Sequence, residues 1–484
     1  MHHFLPALGR SFAGFLSLIA LSLPAPAQTG APPASAPTTD RQRMLALLHL
    51  PTPPAPNKNR NHDEAKATIF PGPLPDPLVL KNGQPVTDAA TWWNQRRPEI
   101  FHDMMTEVYG QIPAQTPKIT WVINSVTDNG TVKTKSVSGR IDNSSYPLAT
   151  PTIQMTVYTP SKAPGPVPMI VEAATEGFGA PAAPVPGPSR ADLVLLNNQL
   201  KSLLIQTDPD ARSILERHPA YNPLPLPAPP PAPSAAAQQV LAKGWGFAEF
   251  NTNSVQADSA AGLASGIIGL MNRGQPRARP DEWGVLAAWA WGLSKACDYF
   301  ETDADVDAKQ LGIEGFSRWG KTAVLAAAIE PRWMVAWAGD SGAGGVKLNR
   351  RDYGESLDDV AEENESYWMA GNYLKYANHH WGDLPVDSHE LVALVAPRAV
   401  FVTGGTADQN TDAKGMFLAA VGAGPVYKLL GKQDLGATEM PAPDVALIFG
   451  DLGFREHTGA HIQAPDWPSF LEFASKYLHA PAAK

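Results

Sequence analysis

The chain has 484 residues, a formal net charge of −9 and one cysteine, Cys297. The negative charge argues against nucleic acid as a partner. A single cysteine excludes an intramolecular disulfide and a thiolate cluster for zinc. The length suffices for two or three average domains, or for one large α/β domain with an extensive core.

The N-terminus has the features of a secretory signal over residues 1–27. Arg10 precedes the apolar run SFAGFLSLIALSL, and Ala25-Pro26-Ala27 forms a cleavage site of the A-x-A type. The run is too short to span a bilayer, so we expect an exported protein, periplasmic or secreted. Residues 28–66 are rich in Pro and Ala, which predicts a flexible N-terminal segment, with one or two helical turns over the short apolar stretch MLALLHL.

From residue 67 onwards we predict one α/β domain that extends to residue 484. Apolar residues at helical spacing predict a helix over 87–109. Three β-branched or alternating segments follow (ITWVINSV, TKSVSGRID and PTIQMTVYTP), and they predict antiparallel strands. The continuous apolar run VPMIVEAA at 167–174 is typical of a central parallel strand.

Residues 177–238 interrupt this pattern with proline-rich sequence on both sides of one amphipathic stretch, LVLLNNQLKSLLIQ. A proline-rich excursion of this length indicates a surface insertion or a lid rather than core.

Strands and helices alternate in the remainder of the chain. GWGFAEFN predicts a strand, residues 281–302 predict a long apolar helix, and KQLGIEG predicts the next strand. WMVAWAGDS, RAVFVTGG and DVALIFGDLG predict three more strands, and DWPSFLEFASKYL predicts a closing helix. This order predicts a doubly wound, mostly parallel sheet preceded by antiparallel strands.

The stretch GFSRWGK places Ser317 between a predicted strand and an alanine-rich helix that stops at Pro331. An exposed serine on such a turn can act as a nucleophile if a base takes its proton and donors stabilise the oxyanion. The usual pattern is G-x-S-x-G, whereas here the second glycine, Gly320, comes one position late. Ser317 could equally cap the helix, and this stretch alone leaves both interpretations open.

Further polar residues follow other predicted strands, in the order nucleophile, acid, histidine. Asp340 follows WMVAWAG, Asp408 follows RAVFVTGGTA, and His457 and His461 follow DVALIFGDLGFRE. Each also has an ordinary interpretation: the aspartates could stabilise turns, and the histidines could lie on the surface. No HExxH motif or third ligand accompanies the histidines, so we predict no metal site.

Together with TWWNQRRPEI, PDEWGVLAAWAWGLSKA, DSGAGG, RRDYGES, DSHELVALVAPR, TADQNTD and HTGAHIQAPDW, the serine stretch resembles the bacterial glucuronoyl esterases. These are serine carbohydrate esterases that cleave esters of 4-O-methyl-glucuronate on xylan. The resemblance implies an α/β-hydrolase fold, no cofactor, and a carbohydrate ester such as glucuronoxylan as substrate. It covers nearly the whole mature chain apart from the proline-rich insertion, and we expect a monomer.

Carried over by position, the resemblance implies Ser317 as nucleophile, His461 as general base and Arg318 as oxyanion donor, with Lys321 and Glu355 binding the sugar. The family places its acid at one of two positions, and this chain has an aspartate at both. Fungal relatives have Glu at the position of Asp340, and Asp is one methylene shorter. We therefore expect Asp408 to be the acid.

Two departures from the family pattern stand out. Asn410 takes the place of a tryptophan that packs against the uronate, and Phe316 replaces a cysteine of fungal relatives. The first departure leaves the sugar open. An esterase acting on acetylated xylan or another carbohydrate ester remains an alternative, as does an inactive protein that only binds polysaccharide.

Overall fold

The computed structural model describes residues 39–53, 60–68, 73–174, 190–208, 210–224 and 232–482. The predicted signal over residues 1–27 lies outside these residues. No helix within the described ranges is both long and apolar enough to cross a membrane.

A ten-stranded sheet forms the centre of the described chain, with strand order β1-β2-β3-β5-β4-β6-β7-β8-β10-β9. In chain order the strands are Ile119–Asp128, Val132–Ile141, Thr152–Pro160, Val167–Ala174, Gly246–Asn251, Val306–Phe316, Trp333–Gly339, Ala399–Gly405, Ala446–Leu447 and Leu452–His457, numbered β1 to β10. Strands β1, β2 and β3 pair antiparallel, and β3 joins β5 antiparallel. From β5 through β4, β6, β7 and β8 to β10 all pairs are parallel. The predicted fold, a mostly parallel sheet with an antiparallel lead-in, is confirmed.

Helices connect and flank these strands. The α-helices are Asp40–Leu47, Ala89–Thr91, Arg97–Asp103, Arg190–Thr207, Ala211–Arg217, Ala235–Ala242, Thr252–Val255, Ile267–Met271, Val285–Phe300, Arg318–Ile329, Leu357–Val360, Ser388–Val395, Ala413–Leu429 and Trp467–Ala474. Short 3₁₀ turns cover Glu64–Lys66, Ala260–Ala264, Ser366–Trp368, Gly371–Tyr376, Trp381–Asp383 and Ala464–Asp466. The helix predicted over 87–109 is present, with π-helical turns at Trp92–Arg96 and Met104–Tyr109.

The core holds strand β6 and the helix Arg318–Ile329 in fixed positions. Strand β6 lies between β4 and β7, and its residues 311–315 are buried. The helix Arg318–Ile329 packs on this sheet and against the helix Val285–Phe300, which is apolar on nearly every face. Burying one large apolar side chain stabilises a fold by about 1.5–3 kcal/mol, so many such residues anchor the turn between β6 and its helix.

The last parallel strand lies further along the chain than the sequence predicts. DVALIFGDLG contributes the two-residue edge strand β9 and only the first two residues of β10, and Phe449 between the two strands is 88% exposed. Strand β10 instead begins at Leu452 and pairs parallel with β8. The prediction was wrong here because an apolar run does not by itself reveal which of its residues face solvent.

Part of the predicted flexible segment 28–66 forms ordered structure. The helix Asp40–Leu47 buries Met44 completely, and the Arg41 side chain donates to the carbonyl of Ala361 at 2.7 Å. Asp40 pairs with the buried guanidinium of Arg277. The helical turns predicted over MLALLHL are present. Because their contacts reach the core and a buried arginine, this helix is part of the folded domain rather than of a flexible segment.

Within the predicted insertion 177–238, residues 177–189, 209 and 225–231 lie outside the described ranges. The helix Arg190–Thr207 is present, and its Asn197 side chain is bonded to the backbone of Leu224. The helix Ala235–Ala242 packs against β5 and buries Ala237 and Val240, so the insertion ends before the predicted residue 238.

Candidate active site

Ser317 lies at the turn between β6 and the helix Arg318–Ile329. Its backbone has φ +60° and ψ −127°, a conformation that non-glycine residues rarely adopt. Such a backbone costs on the order of 1–3 kcal/mol and persists only where its surroundings hold it. The Ser317 N–H donates to the carbonyl of Gly339 at 2.8 Å, which ties the turn to the end of β7. The half-buried serine therefore stands at the carboxyl edge of the sheet.

Two glycines allow this turn, and they explain the late position of the second one. A Cβ on Gly315 would lie 2.2 Å from the carbonyl oxygen of Trp319. A Cβ on Gly320 would lie 2.7 Å from the carbonyl oxygen of Gly339, so the first turn of the helix rests directly on the end of β7. The close approach occurs at Gly320 and not at position 319, where the tryptophan side chain is half-buried. The departure from G-x-S-x-G thus follows from backbone packing.

His461 lies beside this turn and bonds to Asp408. Its ring contacts the ring of Phe316, the residue before the serine, with centroids 4.4 Å apart. Its Nδ1 lies 2.5 Å from Oδ2 of Asp408, which also accepts a hydrogen bond from Thr411 Oγ1 at 2.7 Å. Burial works to raise the pKa of the Asp408 carboxyl, but the bonds from His461 and Thr411 outweigh it and hold the pKa below its ordinary value. An ionised Asp408 fixes the tautomer that leaves Nε2 of His461 free to accept a proton.

Asp340 lies behind Asp408 rather than against the imidazole. It is fully buried just past β7, its Oδ1 accepts from the Gly405 N–H at 3.0 Å, and that oxygen lies 4.0 Å from His461 Nδ1. Burial raises the pKa of the Asp340 carboxyl to about 9, and the neighbouring Asp408 adds to the rise. Among the described residues its Oδ2 has no hydrogen-bond partner while Asp340 is ionised. A protonated Asp340 that donates to Asp408 satisfies both observations.

His457 is not on the surface but is completely buried at the end of β10. Its Nδ1 lies 2.8 Å from Asp466 Oδ2, and its Nε2 lies 3.0 Å from the carbonyl oxygen of Ala460. Both ring nitrogens therefore face acceptors, which favours the doubly protonated imidazolium. Burial lowers the pKa of His457, but the bonds to Asp466 and Ala460 outweigh it and raise the pKa overall. His457 thus holds the loop that carries His461.

This buried pair predicts a pH-dependent contribution to stability. The folded-state pKa of His457 lies above the unfolded value of about 6.5, so its contribution is complete below that pH and is lost as pH rises through the folded pKa. We expect His457→Gln to destabilise the protein by about 3 kcal/mol at pH 6, and less at pH 9. Thermal unfolding at pH 5–9 measures this difference, and parallel curves for the two proteins would contradict it.

Arg318 and Lys321 are carried by the helix that follows the serine turn, and Glu355 pairs with Lys321. The Arg318 Nη1 donates to Asp258 at 2.6 Å, and the guanidinium lies over the ring of Trp368 at 5.1 Å. Lys321 is 4% exposed, and its ammonium donates to the carbonyl of Ala343 at 2.5 Å and to Glu355 at 3.3 Å. An ammonium has three donors, so these two bonds leave one for a ligand.

Sequence reasoning missed a further carboxyl group near these cations. Burial raises the pKa of Glu365 to about 7, and Glu355 adds to the rise, whereas Lys321 and Arg318 oppose it. The Oε2 of Glu365 is buried and has no hydrogen-bond partner within the described part of the chain. No motif surrounds Glu365 in the sequence, so only the contacts of the folded chain reveal it.

Asn410 is an exposed residue that lies two positions after Asp408 and next to Glu355, the partner of Lys321. Its carbonyl accepts from the Glu355 N–H at 2.8 Å, and its side-chain oxygen lies 3.3 Å from Nε2 of His62. His62 in turn contacts the ring of Tyr353. The position thus carries a hydrogen-bonded amide instead of an aromatic ring.

Two groups in the described residues have donor atoms close enough for a cation. The first group consists of Asp340, Asp408 and His461. The second group shares Asp340 and adds His457 and Asp466. In both groups the imidazole Nδ1 is already bonded to a carboxylate, and His457 uses its second nitrogen as well. The same atoms therefore satisfy one another, and the arrangement suits proton transfer better than metal binding.

The chain is similar to several known esterases. Residues 236–431 match the family described as fungal glucuronyl esterases. The chain is 30% identical over 429 residues to carbohydrate esterase MZ0003 from an unknown prokaryote, covering 86% of this chain and 91% of that protein. A CE15 glucuronoyl esterase from Teredinibacter turnerae superposes with a TM-score of 0.75 at 32% identity, covering 90% of this chain and 98% of the other. A glucuronoyl esterase from Solibacter usitatus gives 0.70 at 34%, with 85% and 99% covered.

Proposed function

The chain belongs to the CE15 glucuronoyl esterases, and we propose that it hydrolyses esters of 4-O-methyl-glucuronate through an acyl-enzyme formed on Ser317. Members of this family are carboxylic ester hydrolases, and the resemblance drawn from the sequence is confirmed. The observation that carries the mechanism is the placement of the His461 and Asp408 pair beside the strained Ser317 turn.

The reaction follows from the roles of these groups. Ser317 Oγ attacks the ester carbonyl while Nε2 of His461 takes the hydroxyl proton, and the carbonyl oxygen becomes an oxyanion. When the tetrahedral intermediate collapses, His461 gives the proton to the leaving alcohol and the uronoyl group stays on the serine. Water then repeats the same steps, and the uronate leaves with Ser317 restored.

Asp408 acts as the acid that orients His461. It is the closer carboxylate, at 2.5 Å against 4.0 Å for Asp340, and its pKa is held low. The buried Asp340 keeps its proton at neutral pH and donates to Asp408. A neutral Asp340 supports the ionised Asp408 without placing a second negative charge beside it.

Arg318 supplies the charge that stabilises the oxyanion, because a guanidinium stays protonated throughout turnover. Lys321, Glu355 and Glu365 form the sugar side of the site. The remaining donor of Lys321 and the carboxylate of Glu355 would bind sugar hydroxyls, with the Glu365 carboxyl close to both. Their burial strengthens such bonds relative to water.

Lys321→Ala should raise KM for a glucuronate ester about tenfold or more and change kcat less, because its bond to a hydroxyl forms in both ground and transition states. Steady-state kinetics on a benzyl glucuronate ester measure this split. Lys414→Ala, which removes an exposed lysine paired with Glu64, is the control and should leave both constants unchanged. A loss confined to kcat would place Lys321 in the catalytic machinery instead.

We propose that the protein is exported through the leader at residues 1–27 and acts as a monomer on glucuronoxylan. A leader of this kind suits an enzyme whose polymeric substrate lies outside the cell. Detection of the mature protein outside the cytoplasm, with its N-terminus at Gln28, checks the first part.

Substrate class is tested by parallel assays on a benzyl glucuronate ester and on acetylated xylan. We expect a kcat/KM for the uronate ester at least about a hundredfold higher, because the charged and polar groups of Lys321, Glu355 and Glu365 have no partner on an acetyl group. Preference for acetylated xylan would overturn the proposed substrate while leaving the esterase chemistry intact.

A further inference from the structure

Asp258 lies in the loop that follows β5, between the helix Thr252–Val255 and the 3₁₀ turn Ala260–Ala264. Both oxygens of its carboxylate accept hydrogen bonds. Oδ2 accepts from Arg318 Nη1 at 2.6 Å, and Oδ1 accepts from Trp368 Nε1 at 2.7 Å and from Tyr367 Oη at 3.0 Å. The loop is itself fixed, since the Asp258 N–H donates to the Asn253 side chain. Asp258 is therefore a rigid acceptor.

The Arg318 side chain depends on this acceptor for its orientation. It is 39% exposed, and Asp258 is its one ion-pair partner among the described residues. The rings of Trp319 and Trp368 lie near the guanidinium, at 5.7 and 5.1 Å, and stabilise its charge without fixing the direction of its N–H groups. An arginine side chain carries about 2 kcal/mol of rotamer entropy, so without Asp258 the guanidinium would sample several orientations.

Two uncharged donors on Asp258 limit how far its carboxylate neutralises the positive charge of Arg318. A carboxylate bonded only to arginine would cancel much of the positive field that an oxyanion needs. Here Trp368 and Tyr367 donate to the other carboxylate oxygen and so share the negative charge. Oxyanion stabilisation depends on donors that are already oriented before the reaction. One bond to Asp258 orients the guanidinium, and the remaining N–H groups stay available.

We propose that Asp258 is a positioning residue that orients the Arg318 guanidinium for the oxyanion, acting through Arg318 and without touching the substrate. The inference rests on the proposed role of Arg318 in ester hydrolysis. A different role, in which Asp258 only ties its loop to the turn Ser366–Trp368, would also make the residue necessary. The two roles differ in whether the effect of Asp258 requires Arg318.

A double-mutant cycle separates them. Asp258→Asn, Arg318→Ala and the double variant are compared with the wild type for kcat, KM and Tm on a benzyl glucuronate ester and on p-nitrophenyl acetate. We expect Asp258→Asn to lower kcat about tenfold or more with KM within about twofold, since misplacing a catalytic group by about 1 Å can cost a hundredfold. In the Arg318→Ala background the same change should lower kcat less than about twofold.

Asp103→Asn is the matched control, because Asp103 forms a lysine pair of the same 2.6 Å length with similar side-chain exposure, 11% against 15%. We expect its kcat to equal that of the wild type. Asp258→Glu keeps the charge and should recover part of the lost kcat.

An equal loss of kcat from Asp258→Asn with and without Arg318, or no loss at all, would overturn the inference. The two esters separate it from the proposed function. Coupling on the acetate ester together with an inactive wild type on the glucuronate ester would support the positioning role and reject only the substrate. A wild type inactive on both esters would overturn both proposals.

Discussion

Ser317→Ala should lower kcat on a glucuronate ester at least about a thousandfold while leaving Tm within a few degrees of the wild type. The substitution removes the nucleophile and little else, because the turn is held by backbone packing at Gly315 and Gly320. Alanine at φ +60° is strained to a similar degree as serine, so the fold should not gain or lose much. Steady-state kinetics and thermal unfolding of the same preparation measure both quantities.

His461→Ala should cause a loss of similar size, and the double variant should be no worse than either single one. Nucleophile and base act as one unit, so their effects are not additive. His457→Gln, at the end of β10 where that loop begins, is the matched control, and it should keep measurable turnover at temperatures where it stays folded. Complete loss of turnover in folded His457→Gln, with activity retained in His461→Ala, would reverse the assignment of the base.

The two aspartates should differ widely in their effect on catalysis. Asp408→Ala should lower kcat by about three to four decades, because the imidazole loses its orientation and the imidazolium loses its counter-charge. Asp340→Ala should lower kcat by about one decade, since Asp340 lies 4.0 Å from His461 and acts through Asp408. Asp340→Asn, which keeps a donor for Asp408, should lose less than Asp340→Ala. Kinetics at one pH near neutrality rank the three variants.

A different order of kcat among these aspartate variants would change the assignment of the acid. A severe loss from Asp340→Ala with near-normal activity for Asp408→Ala would return the acid to the position that fungal relatives use. Modest losses from each single variant and a severe loss from the double variant would mean that the carboxyl groups share the task.

Much of the site could be anticipated because its residues follow strands. Ser317, Asp340 and Asp408 lie after apolar runs that form parallel strands, and parallel strands bring their carboxyl ends to one edge of a sheet. His461 also follows a parallel strand, β10, although that strand begins later than the apolar run predicts. The choice between Asp408 and Asp340 also had a physical basis in side-chain length, and the distances to His461 support that choice.

What could not be anticipated depends on contacts between distant segments. Asp258 precedes Arg318 by 60 residues, and its role as acceptor requires the fold to bring the loop after β5 to the serine turn. Glu365 stands among other acidic residues, and nothing local distinguishes it from a solvated carboxylate. The strand expected over DVALIFGDLG failed for a related reason, since the exposure of Phe449 is set by neighbours that the sequence pattern does not show.

The docking of the helix Asp40–Leu47 also bears on the order in which the molecule assembles. Its partner Arg277 lies 237 residues further along the chain, and the carbonyl that Arg41 binds lies 320 residues further. A chain synthesised from its N-terminus exposes this helix long before either partner exists, and closing such long loops is slow. This helix, the first in the described part of the chain, therefore completes its contacts only after residue 361 has been synthesised. Until it docks, the buried guanidinium of Arg277 lacks the Asp40 carboxylate. The folded enzyme therefore reaches its full stability only after this N-terminal helix has packed against segments that are synthesised much later.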